Sequence, residues 1–248
     1  LAASAQGFAG LGTSAEGYAV PQAGREFDFP ADRGAHADFR IEWWYVTATL
    51  RDASGTDYGA QWTLFRNALS PEQAGQEVTG WNSPQVWMGH VALTTPETHY
   101  FAERLARGGT GQAGVIAEPF AAWLDDWALI DRAGGYEMTA VGDDFGFDLR
   151  LLADGPRVAH GEGGYSVKTA SGQASYYYSE PFLTVTGKLS LPSGVFQVTG
   201  EAWLDREWSS QPLDEGQEGW DWFSLSFESG DKLMAFWLRG AEGVFSSG

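Results

Sequence analysis

The run EAWLDREW, residues 201–208, places three carboxyls and two indoles within a few positions of one another. With the two-residue period of a β-strand, Glu201, Trp203, Asp205 and Glu207 share one face, and Ala202, Leu204, Arg206 and Trp208 share the other. Carboxyls crowded in a hollow raise one another's pKa and can divide acid and base work; on a solvent face the same cluster is ordinary. Asp205 is the leading acid in this pattern, with Glu207 or His90 as its base.

Three further runs repeat the pairing of acid with aromatic ring. GWDWF holds Asp221 between Trp220 and Trp222, which fits either a pocket wall that orients an apolar ligand or core packing around a turn aspartate. SYYYSEP offers Tyr176, Tyr177 and Tyr178, and a buried phenol needs a hydrogen-bond partner, so Tyr177 is a candidate donor to a substrate oxygen. In RIEWWYVTATL, Glu42 and Trp44 fall on one face and Trp43 and Tyr45 on the other. This alternation predicts an acid beside an indole within the pocket, with the other pair packed outside. Candidate ligand-binding positions are therefore Trp44, Trp203, Trp220, Trp222, Tyr178 and Gln61; Glu42 and Asp221 would orient the acid and base or stabilise positive charge.

Several other chemistries are excluded or weakened. GTGQAG (109–114) matches the dinucleotide pattern G-x-G-x-x-G, yet no apolar strand precedes it and Pro119 blocks the helix that should follow, so it reads as a glycine loop. No nucleophile elbow, H-E-x-x-H, phosphate loop or calcium loop occurs. The absence of cysteine removes thiolate catalysis, cysteine-ligated zinc and disulfides. The histidines, at 36, 90, 99 and 160, are too scattered to propose a metal triad. Only His90 invites a role: it shares a strand face with Met88 and Ala92 and points into a cavity or into solvent. Neither a metal nor a cofactor is expected.

The elements that must position these residues are strands. YGAQWTLFRNAL after RDASGTD, and HYFAERL after QVWMGHVALTT, read as hairpins, and a meander of strand-like runs continues to the last residues. One run, FAAWLDDWALI, is ambiguous, because Phe120, Trp123, Leu124 and Trp127 fall at helical spacing. Many adjacent antiparallel strands favour a closed barrel or a sandwich, since closure removes exposed edges. An aromatic share of 15% with 33 glycines agrees with bulky strands separated by tight turns.

The formal charge of -18 opposes a phosphate backbone, so nucleic acid is excluded as a partner. The opening LAASAQGFAG is small and apolar, like the last part of a secretory signal, and predicts a periplasmic or secreted protein.

These runs also carry a family resemblance. DFRIEWWYVTATL, HVALTT, AERLARG, AEPFAAWLDDW, SYYYS, AWLDREWSS and GWDWFSLSFESGDKLM resemble, in order from about Ala31 to Gly248, the AttH-like proteins related to the carotenoid hydratases called CrtC. The resemblance implies an all-β chain of tandem lipocalin-like antiparallel β-barrels. Residues 1–24 would be a processed or irregular segment, 25–210 the first barrel and 211–248 the start of a second that is incomplete in this chain. It also implies that FAAWLDDWALI is mostly strand, and a frequent association with an ABC-type permease.

The carotenoid enzymes add water across a terminal carbon–carbon double bond without a redox cofactor, which needs an acid, a pocket that tolerates a carbocation, and a base. Tryptophan faces and carboxylates suit a cation. Where those enzymes carry a histidine, this chain has Arg206, a departure that weakens carotenoid as the substrate.

Two functions follow as expectations. One is a hydratase or hydrolase of an apolar terpenoid, carotenoid-like or lipid substrate, using Asp205, Glu207, His90, Glu42, Asp221 and Tyr177. The other is a non-catalytic periplasmic carrier of a hydrophobic small molecule, working with a permease. An enzyme of this design needs His90, Glu42 and the Asp205 face to meet in one cavity; a carrier does not.

Overall fold

A computed structural model describes residues 15–71, 79–169, 172–211, 217–240 and 243–247. The apolar opening run lies outside the described residues. Sixteen strands follow one another among those residues. They are β1 (Ile41–Asp52), β2 (Asp57–Ala68), β3 (Gln85–Thr94), β4 (His99–Arg107), β5 (Ala113–Ala117), β6 (Phe120–Leu124), β7 (Trp127–Arg132) and β8 (Gly135–Val141). Next come β9 (Gly146–Ala153), β10 (Val158–Ala159), β11 (Tyr165–Val167), β12 (Ala174–Leu191), β13 (Gly194–Ser209), β14 (Gln217–Ser226), β15 (Lys232–Gly240) and β16 (Gly243–Ser247).

The first sheet runs in the order β4-β3-β2-β1-β13-β12-β9-β8-β7-β6-β5, with β10 and β11 beside the first half of β12. Its pairs are antiparallel, and the sheet curls until it nearly closes into a barrel. Near the seam, Arg104 of β4 forms an ion pair with Asp126 in the turn between β6 and β7, and its guanidinium stacks 4.2 Å from the centre of the Trp127 ring. Gly89 of β3 makes room for that ring, because a Cβ there would stand 3.1 Å from Trp127. The all-β expectation holds: apart from two short 3-10 turns, no helix occurs among the described residues.

The strand alternation decides what fills the barrel. Trp44, Val46, Ala48 and Leu50 of β1 point inward, as do Ala60, Trp62 and Leu64 of β2. They meet Leu124, Trp127, Leu129, Met138, Leu149 and Val185 from the opposite wall in one continuous core. Truncating one of these buried indoles should cost about 3–5 kcal/mol. The interior is thus packed with hydrocarbon side chains.

FAAWLDDWALI is a hairpin of β6 and β7, as the resemblance implies. Phe120, Ala122 and Leu124 are buried on one strand, and Trp127 and Leu129 on the next. Asp125, at φ 54°, makes the tight turn, and the residues spent there shift the phase of the alternation so that it imitates a helical period.

A second sheet, β14-β15-β16, lies against the outer face of β12, β13 and β1. Trp222 of β14 and Met234, Phe236 and Leu238 of β15 pack on Tyr177 and Trp203. At one end of the barrel, residues 15–39 form an irregular cover in which Phe27 and Phe29 pack against Tyr178.

Candidate functional site

The outer face of β13 is buried at the positions covered by the second sheet. Trp203, Asp205 and Glu207 project from it by alternation, Tyr177 and Ser179 from β12 beside it, and Tyr45 from β1 on the other side. Trp222 closes the site from above, its ring 5.7 Å from that of Tyr45 and 6.5 Å from that of Trp203.

Asp205 is the centre of this arrangement, 2% exposed. Its Oδ1 accepts hydrogen bonds from the Tyr177 hydroxyl (2.8 Å), the Trp203 indole N–H (2.9 Å) and the Ser179 hydroxyl. Among the described residues no hydrogen bond reaches Oδ2. Every donor is neutral. Burial therefore dominates and pushes the carboxyl up to about 7; the three hydrogen bonds oppose that shift and neighbouring Glu207 adds to it.

Glu207 stands two residues along the same face, about 6.5 Å away at the rise of a strand. It accepts from the Ser175 hydroxyl and forms an ion pair with Lys168 at 2.9 Å. Lys168 in turn lies 4.8 Å from the Tyr177 ring centre and 4.3 Å from that of Phe236. Tyr177 donates to Asp205 and accepts from the Trp222 indole at 3.2 Å; burial first, then Asp205 and Glu207, hold its phenol well above the ordinary value. Tyr45 is pushed up to about 12 by burial and by Asp205. Both phenols are therefore donors at neutral pH.

His160, on the loop after β10, completes the cluster. Its Nε2 is 2.6 Å from Ser179 Oγ, and its ring lies 4.2 Å from that of Tyr177. Burial and then the charge of Lys168 lower its pKa to about 4, so the ring is neutral. The assembled chemistry is a neutral carboxylic acid, a second carboxyl a short step away, and the four aromatic rings of Tyr45, Tyr177, Trp203 and Trp222.

The structure brings together Asp205, Glu207, Tyr177, Trp203 and Trp222, and places the other sequence candidates elsewhere. Glu42 is on the opposite face of the sheet, inside the end of the barrel, fully buried between Arg66 and Arg206. Burial alone would raise its carboxyl, but the two guanidiniums and His36 hold it well below the usual carboxylate range. Trp44 accompanies it inside, donating to Arg33 O at 2.9 Å. The opening expectation is thus inverted: Tyr45 of the pair assigned outside touches the acid site, whereas Glu42 does not.

His90 is on the outer face but 46% exposed, near Glu103 at 3.8 Å. Asp221 alternates away from Trp222 on β14 and faces Arg239 at 3.5 Å. Trp220 is on the Trp222 side of β14 but 42% exposed. Tyr178 faces the N-terminal cover, its hydroxyl donating to Asp32 O. Gln61 is exposed and reaches the site only through Tyr45, whose hydroxyl accepts from its amide at 3.1 Å. Glu201, the third acid of the cluster, is exposed and paired with Lys232 at 2.6 Å.

Sequence reading missed Ser175, Ser179, His160 and Lys168. The serines were within reach, since SYYYSEP read with period two puts Ser175, Tyr177 and Ser179 on one face. His160 and Lys168 come from loop positions with no periodic signal.

A family model described as AttH-like matches residues 20–248. A crystal structure assigned as an AttH of Nitrosomonas europaea is 38% identical, covers 90% of this chain and 68% of its own, and superposes with a TM-score of 0.78. Kievitone hydratase from Nectria haematococca is 11% identical over 92% of this chain and 70% of its own, at a TM-score of 0.58. CghA, solved with Sch210972, is 12% identical over 84% of this chain and 56% of its own, at 0.50. At those identities the last two share the fold alone, a lipocalin-like antiparallel β architecture. No curated protein matches the chain. The model match over nearly the whole chain, joined by the Nitrosomonas structure, shows that this protein belongs to the AttH-like family.

Proposed function

We propose that this protein is an acid/base hydratase of an unsaturated apolar compound, with Asp205 as the acid and Glu207 as the base. The observation that carries the reading is Asp205 itself: a buried carboxyl bonded only to neutral donors, held neutral up to about pH 7 and ringed by indole and phenol. A neutral carboxylic acid at that pH is a proton donor poised for general acid catalysis.

In the reaction, Asp205 gives its proton to one alkene carbon, and the positive charge on the other carbon faces the rings of Trp203, Trp222 and Tyr45. Water bonds to that carbon and loses a proton to Glu207. Glu207, two residues along the same strand face, serves there as the second carboxyl does in an inverting glycosidase. Glu207 then releases its proton to solvent and Asp205 takes one up, so the net change is addition of H and OH across the double bond. Tyr177 donates to the Asp205 carboxylate formed midway.

One structure with this architecture is a hydratase, kievitone hydratase, which supports the reading. His90, Glu42 and the Asp205 face do not meet in one cavity, so the enzyme proposed is the narrower one that rests on Asp205 and Glu207 without Glu42 or His90. A secreted or periplasmic setting and a permease partner belong to the same proposal; fractionation of native cells tests the first.

Incubation with an acyclic isoprenoid alkene in oxygen-18 water tests the chemistry. A labelled tertiary alcohol is expected, with turnover falling at least about 100-fold in Asp205→Asn while circular dichroism stays unchanged. Full activity in that variant removes Asp205 from the mechanism. Cleavage of an isoprenoid ester, with the alkene untouched, replaces hydration by hydrolysis.

A further inference from the structure

Resting on that acid/base reading, we propose that His160 and Ser179 form a proton relay that returns a proton from solvent to Asp205. Ser179 is wholly buried and has two side-chain hydrogen-bond partners, Asp205 Oδ1 on one side and His160 Nε2 on the other. His160 is half-buried and fixed in orientation: its backbone N–H donates to Tyr177 O at 3.0 Å, and its ring lies against the Tyr177 ring. Its Nδ1 has no hydrogen bond among the described residues and is not sealed from water. A continuous line of hydrogen bonds thus joins solvent to a buried acid, on the side away from the unbonded Oδ2.

The transfer balances without a lasting charge. While Asp205 is ionised, Ser179 donates to Oδ1 and the Nε2–H of His160 donates to Ser179. A proton from water binds Nδ1, the Nε2 hydrogen moves to Ser179 Oγ, and the hydroxyl hydrogen of Ser179 moves to Oδ1. His160 and Ser179 each gain one proton and release one, and the ring ends as the Nδ1–H tautomer with both hydrogen bonds reversed. This neutral state, with the proton on Oδ1 and donated to Ser179, is the resting one; a half-turn of the carboxyl brings the proton to the Oδ2 side only for its transfer to substrate. The charged groups around the ring are Lys168 and, bonded to it, Glu207; the Tyr177 phenol lies beneath. Burial and Lys168 disfavour a standing imidazolium, which suits a ring that passes protons without storing one. In this scheme His160 and Ser179 act through Asp205 and are positioning residues.

The signature is a change of tautomer in a neutral ring, read from the nitrogen-15 shifts of the His160 imidazole between about pH 5 and about pH 9. Nε2–H is expected above the Asp205 midpoint and Nδ1–H below it. Ser179→Ala should abolish the switch while Asp205 still titrates, and Asp205→Asn should hold one tautomer throughout. A purely structural Ser179 or His160 gives one tautomer at every pH in the wild-type protein, which overturns the relay, as does a switch that survives in Ser179→Ala. Carbon-13 titration of Asp205 in the same samples separates the two proposals. A titrating Asp205 without a tautomer switch defeats the relay alone; an Asp205 ionised across the whole range defeats both.

Discussion

Two buried acids, one on each face of the same sheet, behave in opposite ways. Glu42 and Asp205 sit on adjacent paired strands, almost wholly removed from water. Glu42 is gripped by Arg66 and Arg206, with Arg206 also stacked 3.9 Å over Trp44, and the His36 amide donates to it at 3.0 Å. Asp205 receives a comparable number of hydrogen bonds, none from a cation. Burial pushes both pKa values up; the guanidiniums, aided by His36, reverse the push at Glu42 alone. The charge of the partners, more than the depth of burial, therefore separates an ion that ties the N-terminal cover to the barrel from an acid able to give up its proton near neutrality.

Arg206→Met should break the comparison most severely. It leaves Glu42 buried with half its counter-charge, and removes the hydrogen bond from Arg206 to Gly34 O at 2.6 Å. Loss of one partner from a buried ionic cluster costs about 3–5 kcal/mol, and the upper end is expected here. Urea unfolding checks it; a loss under about 1 kcal/mol would mean that Glu42 is solvated. The pH dependence has a definite sign. Glu42 is depressed in the fold, so its contribution is present above the ordinary carboxylate range and is lost on acidification.

Asp205 carries the opposite sign. Its folded pKa is raised, so its stabilising effect is complete below about pH 4 and fades as the pH climbs to about 7. The full swing is on the order of 4 kcal/mol. Asp205→Asn should abolish that slope, so the variant gains on the wild-type protein between pH 5 and pH 8. Parallel stability curves would show that Asp205 is ionised at pH 5. Tyr177→Phe sharpens the point: with one donor gone, the Asp205 midpoint should rise further, at a stability cost of about 1 kcal/mol. Carbon-13 titration reads the midpoint, and a fall would mean that the phenol does not donate to Oδ1.

The contrast also explains what the sequence could reveal. Period two in EAWLDREW correctly separates Asp205 from Arg206 and puts Trp203 and Glu207 with the acid, because alternation is a local property of a strand. It cannot say which face turns inward. That sign was decided by Arg66 on β2 and by the second sheet, whose Trp222 and Phe236 cover the Asp205 face. Hence Glu42 could be paired with its neighbours on β1 but not with its guanidiniums. The misleading helical period of FAAWLDDWALI has the same root, a turn at Asp125 that resets the phase. His160 was illegible for a further reason: it reaches Asp205 only through Ser179, from a loop whose course no strand pattern fixes.

His90 supplies the mildest test. It lies on the Asp205 side of the sheet and in the same cross-strand row, which passes from Asp205 through Tyr45 and Thr63 to His90. Sharing a row is not proximity: three strand spacings put it about 14 Å away, and its other contacts are the edge of Phe65 and exposed Glu103. His90→Ala should therefore leave turnover unchanged and shift stability by no more than about 0.5 kcal/mol. A clear loss of turnover would extend the reactive surface along the row beyond Thr63. The acid would then draw on the outer face of β3 as well as on the groups that surround it beneath the second sheet.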